Sequence, residues 1–398
     1  MTDAEANERA NRFKTNNVVK SKEKIIDSPL VKDKHQSISM RKNEEEGDEV
    51  AVVSMADFEK MMDTLAMQPK AKVSYHDNLD DSFDEVDENM YLNVLKDEKF
   101  GVVNNNYNKN NNLATAFHSD QGNRDSQEDR CLVSTYASKL KALEIYQKEK
   151  SFLLDALSHF TIACIFDGHN GSKCAQYVCQ NLPPRLLSHE KILEKPSDLE
   201  IAFRETFQSI DEEACSVLKN NSNNSGSTAL VAIYDGRKHI LTVASVGDSI
   251  CIISRAGHAI RINKTHRLDN KEEKCRVIAQ GGTIVNNRVN GVLAVSRAFG
   301  DISFKYDRGD SAYGTGPVIA QPDVAYEIVT PMTEFAIIAS DGLFDVLDPQ
   351  QAVNFVKKSL LKKEELQHIS KELVELAIKE GSVDNITVII LLFHFSLK

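Results

Sequence analysis

Four carboxylate residues of this sequence stand where an apolar run stops and glycine or asparagine lets the chain turn. The run 160–166 leads into Asp167-Gly168-His169-Asn170-Gly171, and 335–339 leads into Ser340-Asp341-Gly342. Asp384-Asn385 opens the last apolar run and Glu128-Asp129-Arg130 an early one. A single Asp-Gly pair is ordinarily a turn, because both residues suit tight turns. Four such sites imply more. Strand ends drawn from separate sheets converge at one rim, and carboxylates gathered there cannot all stay ionised without cations among them. No Cys or paired His stands beside them, so the donors are oxygen and select Mg²⁺ or Mn²⁺ over zinc. Two such ions, about 3.5 to 4 Å apart, could hold a bridging water as hydroxide and clamp an in-line displacement at phosphorus. The phosphate would want a cation of its own. Arg124, four residues before Glu128, is placed for that by sequence, although on spacing alone a surface arginine in a polar loop is the favoured reading.

The elements that must hold these residues begin near Leu113. Short apolar runs at 113–118, 130–135, 160–166, 228–234, 239–246, 250–254, 324–329, 335–339 and 386–395 predict strands. Helical spacing covers 138–157, 172–187, 198–219, 271–280, 349–361 and 363–380. Only Gly247, Asp248 and Ser249 join two of the strands, which predicts an antiparallel hairpin. Helices come in pairs between groups of strands, so helical layers should cover the sheets. No repeat is present.

Composition narrows the class. The formal net charge is -11, and nucleic-acid binding wants clustered Lys and Arg instead. Seven cysteines, without a C-x-x-C pair, read as reduced core thiols. The longest apolar run, 388–393, is of strand length and falls far short of the ~20 residues of a membrane helix. We expect no membrane and no nucleic-acid partner, and a cytoplasmic location extending to the nucleus. Residues 1–112 are acidic and poor in apolar side chains, which predicts a disordered tail ahead of a domain at 113–398. Within that tail 54–67 has helical spacing, read either as a transient helix or as a motif for a docking partner.

Taken in order, the motifs resemble the metal-dependent Ser/Thr protein phosphatases of type 2C. The matching segments are Arg124-x-x-x-Glu128-Asp129-Arg130, Asp167-Gly168-His169-x-Gly171, Ser225-Gly226-Ser227-Thr228-Ala229, Val246-Gly247-Asp248-Ser249, Gly281-Gly282, Val289-Asn290-Gly291 continuing to Arg297-Ala298-Phe299-Gly300-Asp301, Ser340-Asp341-Gly342-x-x-Asp345 and Asp384-Asn385-x-Thr387-Val388. The resemblance implies an α+β fold, a four-layer α-β-β-α sandwich of two antiparallel sheets flanked by helices, with a dinuclear site between the sheets. It implies hydrolysis of phosphoserine and phosphothreonine through a metal-activated water, with Mg²⁺ or Mn²⁺ as cofactor, two ions per site. Asp167 would bridge both ions, Asp341 and Asp384 would hold one, and Glu128 with the Gly168 carbonyl the other. Asp129 would hold metal-bound waters. Arg124 would grip the phosphate. His169 would protonate the leaving oxygen, or else brace the Asp167 loop. Asp248 with Asp345 would offer a looser third metal site, unless Asp248 is simply a turn residue.

Two departures stand out. Asn170 occupies a glycine position of Asp-Gly-His-Gly-Gly, and Thr265-His266-Arg267-Leu268 stands where the family usually has Asp-His-x-Pro. The segment 138–157 looks like a helical insertion, and 286–317 should contain a substrate-side flap made mobile by Gly309, Gly314 and Gly316. The implied partners are phosphoprotein substrates, and the chain should be monomeric. The rival readings are a catalytically inactive adaptor of the same fold and a two-metal nuclease.

Overall fold

The computed structural model describes residues 106–108, 113–135, 159–193, 196–306 and 313–394. The helices expected at 54–67 and 138–157, Gly309, and all of the expected tail except 106–108 lie outside the described residues.

The runs at 160–166, 229–235, 240–246, 335–339 and 386–393 are largely apolar and buried because both faces of each sheet are covered there. One sheet contains β1 (Asn106–Asn108), β2 (Leu113–Asp120), β9 (Ile250–Arg255), β10 (His258–Arg261), β15 (Thr333–Ala339) and β16 (Ile386–Phe393), ordered β1-β2-β16-β15-β9-β10. The other contains β3 (Arg130–Thr135), β4 (Phe160–Phe166), β7 (Ala229–Asp235), β8 (Ile240–Val246) and β14 (Asp323–Ile328), ordered β14-β8-β7-β4-β3. Every pairing in both sheets is antiparallel. Alternate side chains of one strand therefore serve two different cores. Ala336 and Ile338 of β15 join Ile389 and Leu391 of β16 and Leu230, Ala232 and Val243 of the second sheet in the core between the sheets. Phe335, Ile337 and Ala339, one residue out of step, face away from it and pack on helices.

Those helices are α5 (Pro349–Leu361) and α6 (Leu366–Lys379), which bury Val353, Val356, Ile369 and Leu373 against the first sheet. On the opposite side α1 (Lys173–Leu187) and α2 (Pro196–Asn220) bury Val178, Leu182, Phe203 and Phe207 against Ile162, Cys164, Val231 and Ile233. The outcome is the expected sandwich, helices over sheet over sheet over helices. Helix α3 (Lys271–Ala279) and the hairpin of β11 (Ile284–Val285) and β12 (Arg288–Val289) enclose a smaller core of Leu268, Val277, Val289, Leu293, Val295, Ala298 and Val318. All seven cysteines are free thiols, and only Cys275 is exposed.

The expected hairpin across Gly247-Asp248-Ser249 is not formed. Strand β8 pairs with β7 and β14 in one sheet, whereas β9 pairs with β10 and β15 in the other. The three-residue link therefore carries the chain between the sheets, with Gly247 at φ +99°. A short linker fixes only that the chain reverses; both strands are buried on each face and can find partners in separate sheets. Strand β1 lies within the segment expected as tail, and Tyr107 there is in register with Ala114 of β2.

Candidate metal centre

Three carboxylates meet where three chain segments leave the sandwich. Asp167 follows β4, and its backbone is clamped to Thr228: the Thr228 N–H donates to the Asp167 carbonyl at 2.8 Å and the Asp167 N–H donates to Thr228 Oγ1 at 3.2 Å. Asp248 sits in the link between the sheets. Asp341 opens the four-residue helix α4 (Asp341–Phe344) directly after β15. One oxygen from each of Asp167, Asp248 and Asp341 lies within 4.8 Å of the others. Burial, reinforced by the charges of Asp129, Asp341, Asp248 and Asp384, pushes the Asp167 carboxyl well above the usual carboxylate range. Burial and the charges of Asp248 and Asp345 raise Asp341 likewise.

Beneath this group Asp129 is only 2% exposed. Its Oδ2 accepts from Thr387 Oγ1 at 2.6 Å and from Ser340 Oγ at 3.0 Å, while its Oδ1 is buried with no donor. An orphaned buried acceptor beside three crowded carboxylates, all of them hard oxygen donors, fits a divalent cation and its waters.

The remaining expected ligands border the triad. The Glu128 carboxylate accepts from the Gly171 N–H and from Ser126 Oγ, both at 3.0 Å. Asn385 is the splice that holds this edge: Oδ1 accepts from the Glu128 N–H at 2.8 Å, and Nδ2 donates to the carbonyls of Gln121 at 2.8 Å and Ser126 at 2.9 Å. Gly168 lies in β5 (Gly168–His169), directly after Asp167. Asp384 accepts a 2.6 Å hydrogen bond from the exposed Arg124 guanidinium, so the sequence-predicted phosphate-gripping cation is paired here with a sequence-predicted ligand.

His169 has a partner that the sequence reading did not single out. Its Nε2 is 2.7 Å from Oδ2 of Asp301, which is 5% exposed and left-handed at φ +49°. Burial alone would lower the imidazole's proton affinity; the Asp301 charge and hydrogen bond, with Asp248 and Glu128, outweigh it and raise it. The pair is built on a miniature sheet in which β6 (Gly226–Ser227) lies between β5 and β13 (Phe299–Gly300), with Gly226 in register with both His169 and Gly300. A Cβ on Gly226 would stand 2.2 Å from both His169 Nε2 and Asp301 Oδ2, so glycine there lets the two side chains meet. Asn170 takes the left-handed conformation at φ +56°, which asparagine tolerates.

The loop at 265–268 reaches the centre as well. Leu268 is buried in the small core, and His266 is stitched to Gly247 by two hydrogen bonds, of 2.8 and 3.1 Å. Between them Arg267 turns its guanidinium onto the acids: Nε donates to Asp248 at 2.8 Å, Nη1 to Asp345 at 2.9 Å, and Nη2 to Asp341 at 2.9 Å and Asp345 at 3.2 Å. In the flap region a Cβ on Gly316 would stand 2.2 Å from the Phe304 carbonyl oxygen, so that glycine answers to close packing.

The family model "Protein phosphatase 2C" matches residues 113–386, and the chain belongs to that family. It is 39% identical over 232 residues to "Probable protein phosphatase 2C 59" of Oryza sativa subsp. japonica, covering 58% of this chain and 65% of that relative. It is 34% identical over 275 residues to "Probable protein phosphatase 2C member 13, mitochondrial" of the same plant, covering 68% of this chain and 70% of the relative. Among solved structures, serine-threonine phosphatase 2C from Toxoplasma gondii shares the fold at a TM-score of 0.58 and 23% identity, over 71% of this chain and 95% of that one. A C. elegans sex determining protein does so at 0.59 and 24%, over 71% and 65%. Among the described residues no helix is long and apolar enough to cross a membrane.

Proposed function

We propose that this chain is a protein serine/threonine phosphatase that hydrolyses phosphoserine and phosphothreonine in protein substrates with Mg²⁺ or Mn²⁺, two ions at one site. The convergence of Asp167, Asp248 and Asp341 over the orphaned oxygen of Asp129 carries the reading. Asp167, Asp341, Asp384, Glu128 and the Gly168 carbonyl would hold the ions. Bound there, they would lower the pKa of water and draw negative charge from the phosphoryl oxygens.

The chain's own groups do the rest. Asp129, its Oδ2 fixed by Thr387 and Ser340, offers Oδ1 as an acceptor that orients water. The exposed Arg124 fork exchanges Asp384 for phosphate oxygens, a geometry its planar donors favour. His169, whose proton affinity Asp301 raises, gives its proton to the seryl or threonyl oxygen as the P–O bond breaks.

The test is phosphate release from a phosphoserine peptide, with a single-stranded oligonucleotide as rival substrate, each with and without added Mn²⁺. Release from the peptide alone, and only with Mn²⁺, is expected. No release from either points to the inactive adaptor, and cleavage of the oligonucleotide to the nuclease.

A further inference from the structure

Asp248 with Asp345 is the place where a third ion was expected, and Arg267 already fills it, reaching Asp341 as well. Its guanidinium makes four hydrogen bonds to the three carboxylates, taking both oxygens of Asp345, Oδ2 of Asp248 and Oδ2 of Asp341. A divalent ion held by Asp248 and Asp345 would need the same oxygens of those two residues, so arginine and third ion exclude one another, whereas Arg267 touches only Oδ2 of Asp341 and leaves its Oδ1 to the dinuclear centre. Asp248 is 5% exposed, so that arm of the contact is shielded from water, while Asp345 is 54% exposed and its arm faces solvent. The backbone holds the arginine in place: Arg267 bridges to Val295, and the Ser296 N–H donates to the His266 carbonyl at 2.8 Å. A planar guanidinium, charged at every working pH, satisfies three carboxylates at once in a way that a single ammonium cannot.

We infer that Arg267 is a tethered cation standing in for a third metal ion, so that this chain fills its acidic centre with two ions and one arginine. The assignment rests on the two-ion reading above. It makes the charge balance at Asp248 and Asp345 independent of the ion concentration around the protein, and it leaves the loosest expected metal site with no vacancy.

Counting bound Mn²⁺ on the full chain by equilibrium dialysis tests this, with Arg267→Ala alongside. The wild type should saturate at two ions per chain and Arg267→Ala at three, the additional one weak, as few-ligand oxygen sites are. A wild-type count of three, or a folded Arg267→Ala that still stops at two, would overturn the inference and leave the dinuclear centre standing. Fewer than two on the wild type would overturn the dinuclear reading itself. Should Arg267→Ala fail to fold, Arg267→Gln, which removes the charge and keeps a polar side chain, is counted in its place against the same outcomes.

Discussion

His169 and Asp301 separate two roles that one residue could fill. If the imidazole donates a proton to the departing oxygen, its worth depends on how basic that oxygen is. A seryl alkoxide needs the proton and a nitrophenolate does not. His169→Ala should therefore slow phosphoserine-peptide hydrolysis by about 10²-fold or more while slowing nitrophenyl phosphate hydrolysis much less, with Mn²⁺ affinity held. Arg124→Ala is the control, since lost phosphate binding weakens both substrates alike. Equal losses for the two substrates in His169→Ala, with weakened Mn²⁺ binding, would make the histidine a brace for Asp167. The carboxylates and His169 were legible in the sequence because each stands at the end of an apolar run beside turn residues. Asp301 was not: it closes a matching segment without a role of its own, and its partner lies 132 residues away. Arg267 was hidden for a related reason, because its three acidic partners come from two distant segments, the 247–249 link and helix α4 with its C-cap Asp345.

Two-residue strands decide whether the histidine and its aspartate meet. Gly226→Ala places a methyl group into the His169–Asp301 contact without entering the large cores, so it should reproduce the kinetic signature of His169→Ala with the fold retained. A Gly226→Ala enzyme with wild-type rates on both substrates would show that the pair is not needed. Strands this short have too few residues for a period to emerge, so the miniature sheet lay below the sequence's reach. Among the described residues the longer strands and helices were readable to within a few residues. The misread hairpin at Gly247-Asp248-Ser249 came from a link whose length permits either pairing or crossing, and the crossing is what delivers Asp248 to the centre.

Across the whole molecule, charge networks fasten the smaller core to the sandwich. Glu273 accepts from Arg297 at 2.6 Å and from Arg276 at 2.7 Å, and Arg297 continues to Asp323 of β14 at 2.8 Å. Burial alone would raise the Glu273 carboxyl, but its hydrogen bonds with Arg297 and Arg276 bring it from an ordinary 4.5 down to about 2. A depressed carboxyl stabilises the fold fully above pH 4.5 and loses that contribution as pH falls towards 2. Denaturant titration of Glu273→Gln should thus show a loss of about 3 kcal/mol at pH 7. Its gap to the wild type should narrow below pH 4.5, and a gap unchanged by pH would refute the network's role. The alternation that sends neighbouring residues of β15 into different cores explains why the layered class could be read from apolar runs and paired helices, while the charge networks, built from distant residues, could not. The account as a whole rests on the acidic centre being a metal centre that performs the chemistry. Its most direct test is phosphate release from a phosphothreonine peptide by the full chain, stripped of ions and titrated with Mn²⁺, beside Asp167→Asn. The account predicts no release when stripped, recovery on titration, and a loss of at least about 10²-fold in Asp167→Asn at every Mn²⁺ concentration. Full release by the stripped chain, or an Asp167→Asn enzyme matching the wild type, would contradict it.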